Sequence, residues 1–505
     1  MGFLKKYAQV IAPLFLIVLY FITRLTNILA LPIFTDEAIY TRWAQIAKND
    51  AAWLFISLTD GKQPLFIWMA ILFMPFTKDP LLAGRLVSVF AGLSTVVGLY
   101  FLTTELFNNK KMALLASLFY IFYPFALVYD RIALYDSLVA TFAVWSLYIE
   151  ILLVKRLKFI LAVVLGVVIG LGMLTKTSAD FFLVLLPASL LLFPFKDKMQ
   201  NKKFRKWVVF AGVAVVLANL LYFLLRLSPL YYIINQKNAV FIYPFKEWIQ
   251  HPFTYLFSNL SGLTSWLLGY MTIPFLLLVL TAFLFKQKFL REKILLLLWF
   301  IVPFFALAVF GKLIYPRFIL FMTIPLLVLA TFALYQLLQA ARYKVLQVLV
   351  FLVFTILFFK TDYFILTNFS KAPIPQTDKE QFLTDWPSGV GVKETVSFLE
   401  KKAKEGKIYV GTEGTFGLMP YSLEIYLHDN KNIKIASFFW EISDYPPKEV
   451  IEVSKKMPTY FVFYEPCSVC KVTGKAPPLW PVKTIFQIQK EKKDTFYTLY
   501  QIGSK

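Results

Sequence analysis

Asp36 and Glu37 stand side by side in "TDEAIY", just after a run of about twenty mostly apolar residues. Two adjacent carboxylates at a membrane edge are cheap only where they face water. There, one of them can accept a proton from an attacking hydroxyl. Lys62, Arg85, Arg131, Lys176 and Arg317 fall at the ends of other apolar runs, with Asp136 among them. Basic side chains can stabilise the charge that develops on a departing phosphate. Arg42, Asp130, Asp180, Arg226 and Lys312 fall at similar places. Wet helix ends explain Arg42 and Asp180 without chemistry. Arg24 lies inside an apolar run, near enough to its end to snorkel outward.

The elements that carry these residues are membrane helices. The chain of 505 residues is 59% hydrophobic and 16% charged, whereas soluble proteins are roughly a quarter charged. Its net charge of +22 is better explained by cationic loops held on the cytoplasmic side than by a nucleic-acid partner. Two histidines, His251 and His428, and two cysteines, Cys467 and Cys470, leave little for a structural zinc site. "CSVC" reads as a local disulfide or a pair of idle thiols.

Basic clusters at Lys5-Lys6, Lys110-Lys111, 155–158, 196–206, 286–293 and 341–344 alternate with apolar sequence long enough for two crossings. About eleven helices follow, at 9–30, 82–106, 112–129, 136–154, 159–175, 178–195, 207–227, 263–285, 294–311, 317–338 and 345–362. The first span is read as retained, with a cytoplasmic N-terminus. The run 64–76 is too short to cross and reads as a juxtamembrane or re-entrant helix, so the loop 31–81 lies outside. Residues 1–367 then form the membrane domain. From 368 the composition changes to helix–strand repeats and a final hairpin, a small extracytoplasmic α/β domain over 368–505. The aromatic loop 228–262 is read as interface packing, or functionally as a lid or an acceptor-binding segment, and "NLS" at 259 matches an N-glycosylation pattern.

A basic cluster at the outer leaflet calls for an anionic partner, and a lipid phosphate fits that depth. Transfer of a glycosyl group from a lipid phosphate would use both the carboxylate and the cations. The ordered segments sharpen this. "TDEAIY", "GKQPLFIW", "AGRLVSVFAGLSTVVGLY", "DRIALYDSLVATF", "GLGMLTKTSA" and "GKLIYPRFILFMTIP" resemble, in this order, the motifs of the large GT-C glycosyltransferases. The group is that of the protein O-mannosyltransferases and the lipid A aminoarabinose transferases. The resemblance covers about residues 1–340. It departs at Gly61, where the aminoarabinose enzymes carry glutamate, at Gln63, where proline is more usual, at Thr177, where glycine is, and at Phe318, where tyrosine is.

The resemblance implies an inverting transfer from a polyprenyl-phosphate-linked sugar to a protein, glycan or lipid acceptor outside the membrane. It implies Asp36 as catalytic base, with Glu37 orienting the site. Lys62, Arg131 and Lys176 would contact the donor phosphate or sugar, joined by Arg85 and Arg317. Asp136 would hold a basic side chain or a sugar hydroxyl. No cofactor is required, and a divalent metal at Asp36 and Glu37 stays open. The rival reading is a transporter or flippase of lipid-linked sugars, which would be expected to show internal repeats and a midplane site.

Overall fold

The computed structural model describes residues 2–195, 199–285, 288–439, 442–465 and 472–503, so Cys467 and Cys470 lie outside the described residues. The chain divides into two compact units. One comprises Met1–Thr26, Ala52–Met69 and Arg85–Pro375, the other Asn27–Ala51, Ala70–Gly84 and Gln376–Lys505.

Six described helices are long and apolar enough to cross a membrane: Pro80–Phe107, Asp136–Arg156, Gln200–Leu227, Leu290–Phe310, Pro316–Ala340 and Lys344–Thr367. Leu256–Met271 and Ile273–Thr281 make a further pair bent by 96°. Shorter apolar helices include Ile11–Leu25, Phe159–Met173 and Thr177–Leu192. Each of the eleven expected crossings coincides with one helix or with two in succession, and the chain is a multi-pass membrane protein. The run 64–76 forms the helix Leu65–Phe73, about 14 Å long, followed by a short 3-10 turn Met74–Phe76.

Burial sorts these helices. The apolar windows of Asp136–Arg156 and Pro316–Ala340 are 83% and 89% buried, whereas those of Gln200–Leu227 and Lys344–Thr367 are 22% and 28% buried. The first two are packed inside the protein, and the latter two leave most of their apolar side chains exposed, as a lipid-facing helix does. Phe159–Met173 lies against Gln200–Tyr222 through Gly166 and Gly170. A Cβ on Gly166 would come within 2.8 Å of Ala214 O, and one on Gly170 within 2.9 Å of Leu221 Cβ. This is a small-residue contact of the kind that lets membrane helices approach closely. It fixes the helix that Lys176 follows, three residues after Met173.

In the second unit, β1 (Ile408–Glu413), β2 (Ile433–Phe438), β3 (Thr459–Phe463), β4 (Val482–Gln489) and β5 (Phe496–Ile502) form one sheet in the order β2-β1-β3-β5-β4. β1 pairs in parallel with β2 and β3, and β5 is antiparallel to both β3 and β4. Alternate residues face opposite sides. Val410, Tyr460, Val462 and Leu499 pack with Val396, Leu399, Leu418 and Leu423, while Tyr409, Phe461, Phe463 and Tyr500 pack with Val450 and Trp480. The expected helix–strand repeats and the closing hairpin are present. β2 and the helix Leu418–Leu427 were not expected. Ile33, Ala38 and Leu81 join the first of these two cores.

Candidate functional site

Lys62 follows a tight turn. The 3-10 helix Ile56–Asp60 ends at Gly61, whose φ of 63° suits glycine. The Lys62 ammonium lies 3.3 Å from Asp60. The next residue, Gln63, donates from Nε2 to Thr177 Oγ1 at 2.8 Å, and Leu65 N–H donates to Leu174 O at 3.1 Å. These bonds hold the Lys62 segment against the segment that carries Lys176. Lys176 Nζ donates to Asp136 Oδ1 at 2.7 Å and sits 4.5 Å from the centre of the Phe318 ring, a cation–π distance. Asp136 opens the helix Asp136–Arg156. Arg317, beside Phe318, stacks over Tyr315 at 4.8 Å.

Arg131 and Arg85 form the buried side of the same unit. Arg85 is fully buried and Arg131 nearly so. Arg131 donates from NH2 to Thr26 O at 2.6 Å, while its NH1 is buried and makes no hydrogen bond. Burial, with the Arg85 and Arg24 guanidiniums nearby, pushes the Arg131 pKa down to about 9. It stays a cation at neutral pH, with one buried donor unspent. The unit therefore brings Lys62, Asp136, Lys176 and Arg317 together, and Arg85 with Arg131.

Arg24 departs from expectation. It does not snorkel: it is fully buried. It pairs with Asp130 at 3.1 Å and donates to Tyr120 O and Ile121 O. Asp130 is not wet either. It accepts from Ser137 Oγ at 2.8 Å and Tyr120 OH at 3.1 Å as well. A full set of donors makes this buried pair tolerable. Glu150 and Asp362 are two further buried carboxylates, with both oxygens of each unsatisfied. Asn259, the glycosylation match, is buried, and its amide donates to Ala308 O and Gly311 O at 3.1 and 2.8 Å.

Asp36 and Glu37 lie in the second unit, in the first turn of the helix Thr35–Asn49. Asp36 is half-buried and Glu37 fully buried. Glu37 accepts the Phe34 N–H at 3.0 Å, the carboxylate half of a capping box. Carboxylates in a first turn also sit favourably in the helix dipole. Arg42, on the same helix, is spent on Glu424 at 2.8 Å. Among the described residues, no group of three or more His, Cys, Asp or Glu side chains converges to hold a metal ion.

Sequence reading passed over Asp60, Lys237 and Asn238. Lys237 donates to Asp60 Oδ1 at 2.6 Å, and Thr177 Oγ1 donates to Asn238 Oδ1 at 3.3 Å. The D-G turn at Asp60-Gly61 was the one local signal. Nothing in the aromatic loop singled out Lys237.

Residues 61–225 match the family model described as dolichyl-phosphate-mannose-protein mannosyltransferase. That span contains Lys62, Arg85, Arg131, Asp136 and Lys176. The structure is similar to ArnT from Cupriavidus metallidurans in the apo state, with TM-score 0.61, 13% identity and 98% of each chain covered. It is similar to the same protein bound to undecaprenyl phosphate, with TM-score 0.59, 13% identity and 97% of each chain covered. The archaeal oligosaccharyltransferase AglB from Archaeoglobus fulgidus, solved with an inhibitory peptide and a dolichol-phosphate, matches with TM-score 0.52 and 15% identity over 92% of this chain and 70% of that one. No curated protein matches the sequence significantly. The fold is that of the GT-C glycosyltransferases, as the ordered motifs imply.

Proposed function

We propose that this protein is a membrane glycosyltransferase that moves a sugar from a polyprenyl-phosphate donor to an acceptor outside the cytoplasm. The observations that carry the reading are the meeting of Lys62, Lys176 and Arg317 in the first unit, and the burial of Arg85 and Arg131 near each other in the same unit with one Arg131 donor unspent. The GT-C fold and the family match over 61–225 support it. ArnT has been solved with undecaprenyl phosphate, and AglB with a dolichol-phosphate. A donor of the same chemistry suits this cluster.

In the proposed reaction an acceptor hydroxyl attacks the anomeric carbon on the face opposite the phosphate. The carbon–oxygen bond to phosphate breaks and its electron pair stays on the bridging oxygen. The hydroxyl proton passes to the Asp36 carboxylate, and the anomeric configuration inverts. Lys62, Lys176 and the arginines bind the donor and strengthen their contacts as the phosphate gains charge. Asp136 aims the Lys176 ammonium. The acceptor class is a protein, a glycan or a lipid. The N-terminus is cytoplasmic and the sheet unit extracytoplasmic.

The test uses purified protein, a radiolabelled polyprenyl-phosphate sugar and a non-hydrolysable phosphonate analogue. Asp36→Asn keeps the side chain's shape but lowers its basicity. Turnover should fall by about 10² or more, with analogue affinity within about threefold of wild type. Retained turnover with lost binding would make Asp36 a donor or metal ligand. Flipping of labelled lipid without transfer would establish a transporter instead.

A further inference from the structure

Three departures from the family pattern, Gly61, Gln63 and Thr177, meet at a single helix, Ile233–Phe241. A Cβ on Gly61 would lie 2.6 Å from both Ile233 O and Lys237 Cβ, so only glycine lets this helix approach the turn. Gln63 reaches Thr177 and Thr177 reaches Asn238, at 2.8 and 3.3 Å. Between these two ties lies an ion triad. Asp60 Oδ1 accepts from Lys237 Nζ at 2.6 Å, while Asp60 Oδ2 lies 3.3 Å from Lys62 Nζ. The first is a short charge-assisted hydrogen bond and the second a looser ion pair.

We infer that Asp60 and Lys237 are positioning residues for Lys62: Lys237 holds Asp60 so that Lys62 can leave Asp60 for the donor phosphate. The inference rests on the donor-phosphate reading of Lys62. Two ammonium groups on one carboxylate repel each other, so each is held less strongly on balance than it would be alone. Lys62, on the longer contact, is the group that an incoming phosphate can draw away. A donor phosphodiester carries one negative charge, and the polyprenyl phosphate left after transfer carries close to two at neutral pH. The pull on Lys62 therefore grows as the glycosidic bond breaks. Lys237 stays on Asp60 throughout, so the carboxylate is never left unpaired. Its role is indirect, because it tunes how tightly Asp60 holds Lys62.

The test is a titration of undecaprenyl phosphate into the full-length protein in detergent. Lys237→Met leaves Asp60 to Lys62 alone, and the dissociation constant should rise about tenfold. Asp60→Asn removes the competing carboxylate, so affinity should not fall. In the Asp60→Asn/Lys237→Met double variant, affinity should return to within about threefold of wild type, because no Asp60 carboxylate is left to hold Lys62. Lys237→Arg should keep wild-type affinity. A direct phosphate contact by Lys237, or a general weakening of the fold, predicts otherwise: the loss in Lys237→Met would persist in the Asp60→Asn background. That persistence, or an unchanged constant in Lys237→Met, overturns the inference. Lys237→Gln serves the same comparison if the methionine variant does not yield monodisperse protein. Failure of the wild type to bind undecaprenyl phosphate at all would instead overturn the donor reading itself.

Discussion

Lys176 and Asp136 show why one substitution at this site cannot separate binding from stability. Their ion pair is 2.7 Å long and the Asp136 side chain is 7% exposed. Removing Lys176 alone leaves a nearly buried carboxylate without that ammonium, a loss commonly worth several kcal/mol. Lys176→Ala should therefore raise the donor KM, slow transfer and lower the thermal midpoint together. The double variant Asp136→Asn/Lys176→Met removes both charges. It should recover most of the midpoint and none of the transfer. Thermal unfolding and initial rates on the same preparations check this, and recovered transfer in the double variant would remove Lys176 from the site.

Glu413 makes a second case at the residue scale, in the sheet unit. It is buried, and its Oε2 accepts the Tyr464 and Glu465 N–H groups at 2.8 and 2.9 Å. Burial raises its pKa from 4.5 to about 8, against the opposing pull of those two donors. The folded protein then keeps a proton that the unfolded chain releases above about 4.5. The contribution to stability is fully present below that pH and is lost as pH rises through 8. The thermal midpoint should decline between pH 5 and 8.5, and Glu413→Gln should flatten the decline. Equal slopes for the two proteins would remove Glu413 as the cause.

At the scale of elements, the helix Ile233–Phe241 shows where sequence reading stops. The membrane helices were legible because their apolar runs are long enough to cross, and the closing hairpin because its strands alternate. The contacts that build the site are not local. Asp60 and Lys237 are 177 residues apart, and no period in either segment announces the other. β2 was missed because "IKIASF" is a short edge strand among polar residues, and edge strands carry weak patterns. Arg24 was misread for the same reason: its partner Asp130 is 106 residues away. The turn at Gly61 can be tested directly. Gly61→Ala puts a side chain at positive φ, about 1 kcal/mol or more, and drives its Cβ into Ile233 O at 2.6 Å. The helix should be displaced, with the midpoint lowered and the loop 228–262 cleaved faster by protease. Wild-type cleavage rates in Gly61→Ala would show that the close approach is not maintained in solution.

At the scale of the whole molecule, the question is which side of the membrane each segment faces. The basic clusters set the argument, because short loops rich in lysine and arginine stay cytoplasmic. The helix Leu65–Phe73 decides the parity. At nine residues it spans about 14 Å of a hydrocarbon core near 30 Å. If it does not cross, the clusters at Lys110 and Arg342 fall on the cytoplasmic side, and the segments around Asn49 and Lys404 fall outside. All four of these residues are exposed, so a cysteine at any of them can be reached by reagent. In a Cys467→Ser/Cys470→Ser background, Asn49→Cys and Lys404→Cys should react with a membrane-impermeant maleimide in intact cells. Lys110→Cys and Arg342→Cys should react only after the membrane is opened. If Leu65–Phe73 does cross, Asn49→Cys still labels in intact cells. Lys110→Cys and Arg342→Cys would then label before lysis, and Lys404→Cys only after it. That pattern would put Asn49 and Lys404, both in the second unit, on opposite sides of the membrane, against the Arg42–Glu424 ion pair within that unit, and the extracytoplasmic reading would fail with it.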